Sequence, residues 1–221
     1  EMIKVSEKTG ISLFVAYYRR NLPYFIKVKE LLDAGKIGKL LYATINMHIC
    51  PRPDDYNKDS LPWRVKPEIA GGGYFYDLAC HQLDLFNWFF GEATIASSSV
   101  FNRRGLYDAE DTVFADILYS SGLPVSARWC FSAGNEEHTD NIVFHGDKGS
   151  LEFSTFDFTP IKVSTISGFE EHLPGNPENI QYCFIKHMVE SLTRGGMSLG
   201  NGREAAHVNW LMDTILHKLQ S

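Results

Sequence analysis

Residues 113–131 read VFADILYSSGLPVSARWCF, and their alternation decides the fold. Val113, Ala115, Ile117 and Tyr119 fall on one side of a pleated strand. Past the turn SSGLP, Val125, Ala127, Trp129 and Phe131 repeat the pattern, while Asp116, Ser126 and Arg128 take the other side. Two such runs around a Gly- and Pro-containing turn make an antiparallel pair with one core face and one mixed face. The period continues outward, and strands are expected over 94–103, 110–120, 124–133, 139–146, 149–154 and 160–166, with short turns such as HGDKGS between them. The expected product is a meandering antiparallel sheet, with helices over 177–194 and 202–219 laying apolar stripes on its core face. The open face, where Asp116 and Arg128 would lie nearly opposite beside Phe114, is expected to pair with a second copy.

Upstream the pattern changes. EMIKVSEKTG, residues 1–10, has the character of a helix stopped by glycine, and ISLFVAY, 11–17, that of a strand buried on both faces. A helix feeding such a strand is the closing half of a βαβ unit, so residues 1–18 are expected to be the tail of a preceding doubly wound domain and 19–221 a separate α+β domain. A helix over 23–34, with Phe25, Val28, Leu31 and Leu32 on one face, and a strand over 40–50 open that second domain. The segment 49–73 holds four prolines and many polar residues; long ordered loops of this kind usually serve a site, and here a mobile lid carrying Trp63 and Arg64 is expected.

Composition narrows the function. The 221 residues are 44% hydrophobic and 22% charged, enough apolar material for a sizeable core. The net charge of −6, without a basic block, argues against nucleic acid or an anionic membrane as partner. Cys50, Cys80, Cys130 and Cys183 are widely spaced and suit reduced core positions. With no signal peptide and no apolar run of membrane-spanning length, a cytoplasmic setting is expected. No metal site is expected either, since EAAHVNW, 204–210, lacks the second histidine of a zinc helix.

Chemistry concentrates in AGGGYFYDLACHQLDLFNWFFG, residues 70–91. A helix starting near Tyr74 places Asp77 and His81 at i and i+4, with Asp84 continuing the stripe. Gly72 and Gly73 would let the backbone approach a ligand, with the first helical N–H groups aimed at it. A carboxylate beside an imidazole favours the imidazolium and orients the ring for moving a proton to or from a hydroxyl. The same spacing also suits a hydrogen-bonded core or helix-surface histidine held by Asp77 or Asp84. A second glycine pattern, GNGREA at 200–205, matches a dinucleotide fingerprint but follows a helix rather than a buried strand, which argues against a phosphate role.

VAYYRRNLP at 15–23, DAGKIGKL at 33–40, Trp63–Arg64 and above all GGGYFYDLACHQLD at 71–84 occur in an order that resembles the Gfo/Idh/MocA oxidoreductases, NAD(P)-dependent dehydrogenases of sugars and cyclitols. The resemblance implies an N-terminal Rossmann domain that binds NAD or NADP, followed by a domain whose open, predominantly antiparallel sheet has helices on one face and often forms a homodimer or higher oligomer. It implies proton transfer by His81 and hydroxyl binding by Asp77, and extends substrate contact to Asp84, Gly72, Gly73, Trp63, Arg64, Tyr18 and Arg19, with Trp63 and Arg64 also reaching the cofactor. The nucleotide loop and the EKP segment of the family would lie before Glu1; Lys4 and Lys8 do not replace its lysine. Asn21 stands where an aromatic is frequent, which leaves the assignment of a role to Arg19 or Arg20 open. The implied partner is a small carbohydrate-like substrate. The alternative is a carbohydrate-binding or scaffold module that kept the fold without the chemistry.

Overall fold

The computed structural model describes residues 1–193 and 201–218. The chain runs through α1 (Met2–Thr9), α2 (Pro23–Asp33), β1 (Leu40–His48), α3 (Pro67–Ala70), α4 (Cys80–Phe90), β2 (Ala93–Phe101), β3 (Thr112–Tyr119), β4 (Pro124–Cys130), β5 (Thr139–Gly146), β6 (Gly149–Phe153), β7 (Ile161–Thr165), β8 (Gly168–His172), α5 (Tyr182–Thr193) and α6 (Gly202–Ile215). The strands form one open sheet in the order β2-β3-β4-β1-β5-β6-β7-β8. Among the described residues no helix is long and apolar enough to cross a membrane.

The alternation read from the sequence is the observed one. Val113, Ala115, Ile117, Tyr119, Val125, Ala127, Trp129 and Phe131 are all buried. They meet α4, which contributes Leu83 and Phe86, and α6, which contributes Ala205, Val208, Leu211 and Ile215. α2 starts at Pro23, whose fixed φ suits the first helical position. It buries Tyr24, Phe25, Val28 and Leu31, and Phe25 meets Phe153 edge to face at 6.3 Å.

The sheet is not a simple meander. β1 inserts between β4 and β5, parallel to the first (Ala43 beside Val125) and antiparallel to the second (Ile45 beside Ile142). Its core-facing Ala43, Ile45 and Met47 are at most 1% exposed, so a central position with both backbone edges paired is where this strand buries most. The register also corrects the open face: Asp116 pairs with Ser126 and Arg128 with Phe114, so the two charges are diagonal rather than opposite.

Segment 11–17 is no strand. Among the described residues no neighbour offers it a ladder, and Val15 instead gives its N–H to Asn201 Oδ1 at 2.7 Å and accepts from Asn201 Nδ2 at 2.9 Å. Ile11 remains 69% exposed. β8 was not expected, because GFEEH carries no alternation of apolar residues. α5 begins at Tyr182, later than the expected start at 177, and buries only Phe184, so it does not cover the core face. The expected ends of the last two helices, 194 and 219, lie outside the described residues.

One polar network crosses the core. Gln82, fully buried on α4, accepts from Trp129 Nε1 at 2.7 Å and donates from Nε2 to Thr155 Oγ1 at 3.1 Å. It joins α4, β4 and the turn after β6 at one point. Gln82→Leu leaves the indole N–H without an acceptor in a dry site, and urea unfolding is expected to show a loss of about 1–3 kcal/mol with secondary structure retained.

Candidate active site

The loop from β1 to α4 is built of short 3-10 turns, Pro53–Tyr56, Lys58–Ser60 and Trp63–Val65, followed by α3. Its first half is pinned. Asp55 is fully buried, accepting from Tyr74 OH at 2.8 Å and from the Arg52 N–H at 2.7 Å, and the Arg52 guanidinium lies 4.9 Å from the Tyr74 ring. Val65, 1% exposed, anchors the second half, while Trp63 stays 53% exposed with the Arg64 guanidinium 4.6 Å from its ring.

The three glycines serve packing. Gly71 caps α3 in the left-handed region at φ 80°. A Cβ on Gly73 would stand 2.7 Å from Ala109 Cβ, and the Gly73 N–H is already given to Glu110 Oε1 at 3.1 Å. A Cβ on Gly72 would strike the Tyr76 ring. Gly72 and Gly73 therefore bring the loop against Ala109 and Glu110, which requires the absence of a Cβ at both positions.

Between this run and α4 the helix opens into a π-type turn over Phe75–Ala79. An i to i+5 turn shifts the phase of the side chains before it relative to those after it, and such turns are frequent at functional sites. The side chains of the stripe Asp77, His81 and Asp84 find separate partners. Asp77 accepts from Arg64 Nε at 3.0 Å. Asp84, 1% exposed, accepts from Arg20 Nε at 2.8 Å and Arg20 Nη2 at 2.6 Å, and Arg20 also pairs with Glu204 of α6. Neither carboxylate touches His81.

His81 sits among rings: Tyr17 at 5.8 Å, Tyr18 at 5.9 Å and Phe156 at 6.0 Å, all edge to face. Arg19, 4% exposed, lies with its guanidinium 4.8 Å from the Tyr18 ring and 4.3 Å from the Phe156 ring, its Nε donating to the Thr155 carbonyl at 3.2 Å. His81 Nδ1 and Arg19 Nη1 are both buried without a hydrogen-bond partner. Burial first, and then the Arg19 cation, hold the His81 imidazole down to about 3. This reverses the expectation of an imidazolium stabilised by a neighbouring acid: the ring is neutral.

A cleft of about 240 Å³ opens beside this group, lined by Trp63, Arg64, Asp77, Tyr76, Tyr17 and Asn209 among others. Of the residues singled out in the sequence, Asp77, Gly73, Trp63 and Arg64 line it. His81, Tyr18 and Arg19 form the adjoining aromatic group, which shares Tyr17 with the cleft, and Asp84 belongs to the Arg20 pair. Tyr76, Asn209 and Phe156 were missed; Tyr76 sits within the glycine-to-aspartate motif, whereas no local signal marks Asn209 or Phe156.

A nucleotide finds no cradle in the second glycine pattern. Asn201 is committed to Val15, and a Cβ on Gly202 would meet Leu13 at 2.8 Å; Gly200 lies outside the described residues. Among the described residues no group of three His, Cys, Asp or Glu side chains is placed to hold a metal ion.

Sequence and fold match one class of proteins. The model of the GFO/IDH/MocA C-terminal domain matches residues 25–152, and the chain belongs to that family. It is 32% identical over 214 residues, 97% of the chain, to an oxidoreductase designated P35 from Formosa agariphila, and 25% identical over 175 residues, 76% of the chain, to an inositol 2-dehydrogenase from Rhizobium meliloti. It spans 65% of the first relative and 49% of the second. A levoglucosan dehydrogenase solved with NADH and levoglucosan has the same fold, with a TM-score of 0.78 at 20% identity over 95% of this chain and 65% of that one.

The neutral imidazole has a thermodynamic signature. The unfolded chain binds a proton at His81 near the ordinary value of 6.5, the folded chain only near 3, so the unfolded state is favoured as pH falls through that window. Unfolding free energies from urea titration at pH 7 and pH 4.5 are expected to differ less for His81→Gln than for the wild type, by about 1 kcal/mol or more.

Proposed function

We propose that this chain is the substrate-binding part of an NAD(P)-dependent oxidoreductase acting on a hydroxyl or carbonyl of a sugar, polyol or cyclitol, with residues 1–18 closing a preceding nucleotide-binding domain and 19–221 forming the domain described. The observation that carries the reading is the His81 imidazole, neutral and without a protein partner at a buried nitrogen, beside the buried Arg19 cation. The names of the relatives support the reaction class, and the nucleotide-bound dehydrogenase of the same fold supports a nicotinamide partner. The described residues supply no pyrophosphate cradle; at the cleft rim the flat, cationic Trp63–Arg64 pair suits contact with such a partner. A nicotinamide, when bound, would supply hydride transfer at the carbinol carbon, with Trp63 and Arg64 at the cleft rim as its contacts from this chain.

In this reading a substrate hydroxyl passes Tyr17 and hydrogen-bonds His81, which receives its proton as the carbon is oxidised. The imidazole is neutral, the form able to accept a proton, throughout the physiological range. Arg19 lowers the cost of negative charge on the oxygen losing its proton, because its field acts through a dry aromatic setting. Asp77, steadied by Arg64, orients further hydroxyls from the cleft wall. A binding module without chemistry is favoured by one observation, the engagement of both aspartates by arginines, and kinetics separate the two readings. In the full-length protein His81→Asn is expected to lower kcat by about 10² to 10⁴ with cofactor affinity unchanged, and Asp77→Asn to act mainly by raising KM. Wild-type kcat and KM in both variants, on a substrate the parent turns over, would make the residues structural.

The open sheet face is read as a contact between copies. Ile95, Phe114 and Leu118 stand exposed on it, and Tyr42 stacks on His145 at 4.3 Å, in a mixed surface where Asp116 lies between Phe114 and Leu118 and Arg128 lies beside Phe114. Sedimentation of the full-length protein is expected to show a dimer or larger assembly that Phe114→Glu weakens. A wild type that stays monomeric at tens of micromolar would end this reading.

A further inference from the structure

Asp140 lies on β5, remote in sequence from the motif at 71–84, and is buried. Its Oδ2 accepts three consecutive backbone N–H groups, from Thr155 at 2.8 Å, Phe156 at 2.5 Å and Asp157 at 3.1 Å. Its Oδ1 is buried without a partner. Successive N–H groups converging on one anion form a concave nest, and here the anion belongs to the protein itself, so the carboxylate dictates the shape of the turn that follows β6.

That turn closes the histidine's surroundings from the sheet side. Thr155 accepts Arg19 Nε through its carbonyl and Gln82 Nε2 through its hydroxyl. Phe156 presents its ring to His81 at 6.0 Å and to the Arg19 guanidinium at 4.3 Å. The Asp140 carboxylate also stabilises the Arg19 cation electrostatically. Tyr17, Tyr18 and Arg19 face His81 from the segment before α2, Cys80 and Asp84 lie on its own helix, and Phe156 faces it from the turn. Asp140 acts on the ring only through the turn and Arg19.

We infer that Asp140 is a positioning residue for His81, holding the turn at 154–159 so that Phe156 and Arg19 keep the imidazole dry and aimed at the substrate. The inference rests on the reading of His81 as the proton acceptor. Removal of the carboxylate leaves three adjacent N–H groups without their acceptor; the turn relaxes, water reaches the ring, and the imidazole recovers its ordinary basicity.

The test is the His81 titration, followed by NMR of ring-labelled full-length protein in the wild type and in Asp140→Ala, with kcat and KM measured in parallel. The titration of Asp140→Ala is expected to move upward by about one pH unit or more, and kcat to fall by about tenfold to a hundredfold at unchanged cofactor KM. A folded Asp140→Ala with the wild-type His81 titration and kcat would overturn the inference. Should Asp140→Ala not fold, Phe156→Leu tests the same turn: an upward shift of the titration supports the inference, and an unchanged one overturns it. A parent that oxidises or reduces no sugar or polyol with NAD(P) would remove the enzymatic reading, whereas the NMR comparison still decides whether Asp140 governs His81.

Discussion

The histidine's surroundings depend on the ion pair between Arg20 and Asp84. The aspartate is 1% exposed and takes the guanidinium fork on both oxygens, a geometry that fixes position as well as charge. The pair ties the 3-10 turn Tyr18–Asn21 to α4, and the same arginine reaches Glu204 at the start of α6. Tyr17, Tyr18 and Arg19 belong to that turn or directly precede it, so three of the groups around the imidazole are placed by a contact that none of them makes. Loss of one partner from a buried pair leaves an uncompensated charge and costs about 3–5 kcal/mol.

Charge is settled locally throughout the site. Asp77 is matched by Arg64, Asp84 by Arg20, and Arg19 by two aromatic faces and the field of Asp140. What is left open is hydrogen-bonding capacity: a buried imidazole nitrogen and a buried guanidinium nitrogen have no partner. Unsatisfied buried polar atoms are scarce in folded proteins because each carries a desolvation cost, and these two belong to side chains that share the Phe156 ring as a neighbour.

Much of the fold was legible because the strands obey a two-residue period strongly enough to assign each core side chain, from Val113 through Phe131. The insertion of β1 was not legible, since a strand's partners are chosen by burial across the whole sheet and leave no mark in its own residues. Segment 11–17 is apolar like a strand, yet pairing requires a neighbour's backbone, and Asn201 takes that place. The site was half legible. Asp77 lines the cleft and His81 belongs to the adjoining aromatic group, but the spacing that suggested a direct pair carries no information about Arg64, which takes the Asp77 carboxylate instead. Asp140 comes from a distant strand and Phe156 from the turn after β6, and no local pattern announces residues whose role is to shape a neighbour's environment.

The central position of β1 also orders events during synthesis. The strand leaves the ribosome early, but its parallel partner β4 follows only after the long loop, α4, β2 and β3, and its antiparallel partner β5 later still. Until then β1 has no native partner, while the hairpin-linked strands β3 and β4 can pair locally at a much smaller loop-closure cost. The nascent chain therefore passes through a stage in which an apolar strand, LLYATINMH, and the exposed edge of β4 wait for one another. Both are surfaces that another chain can occupy, so the feature that gives the finished sheet its centre is also where its assembly is most open to error.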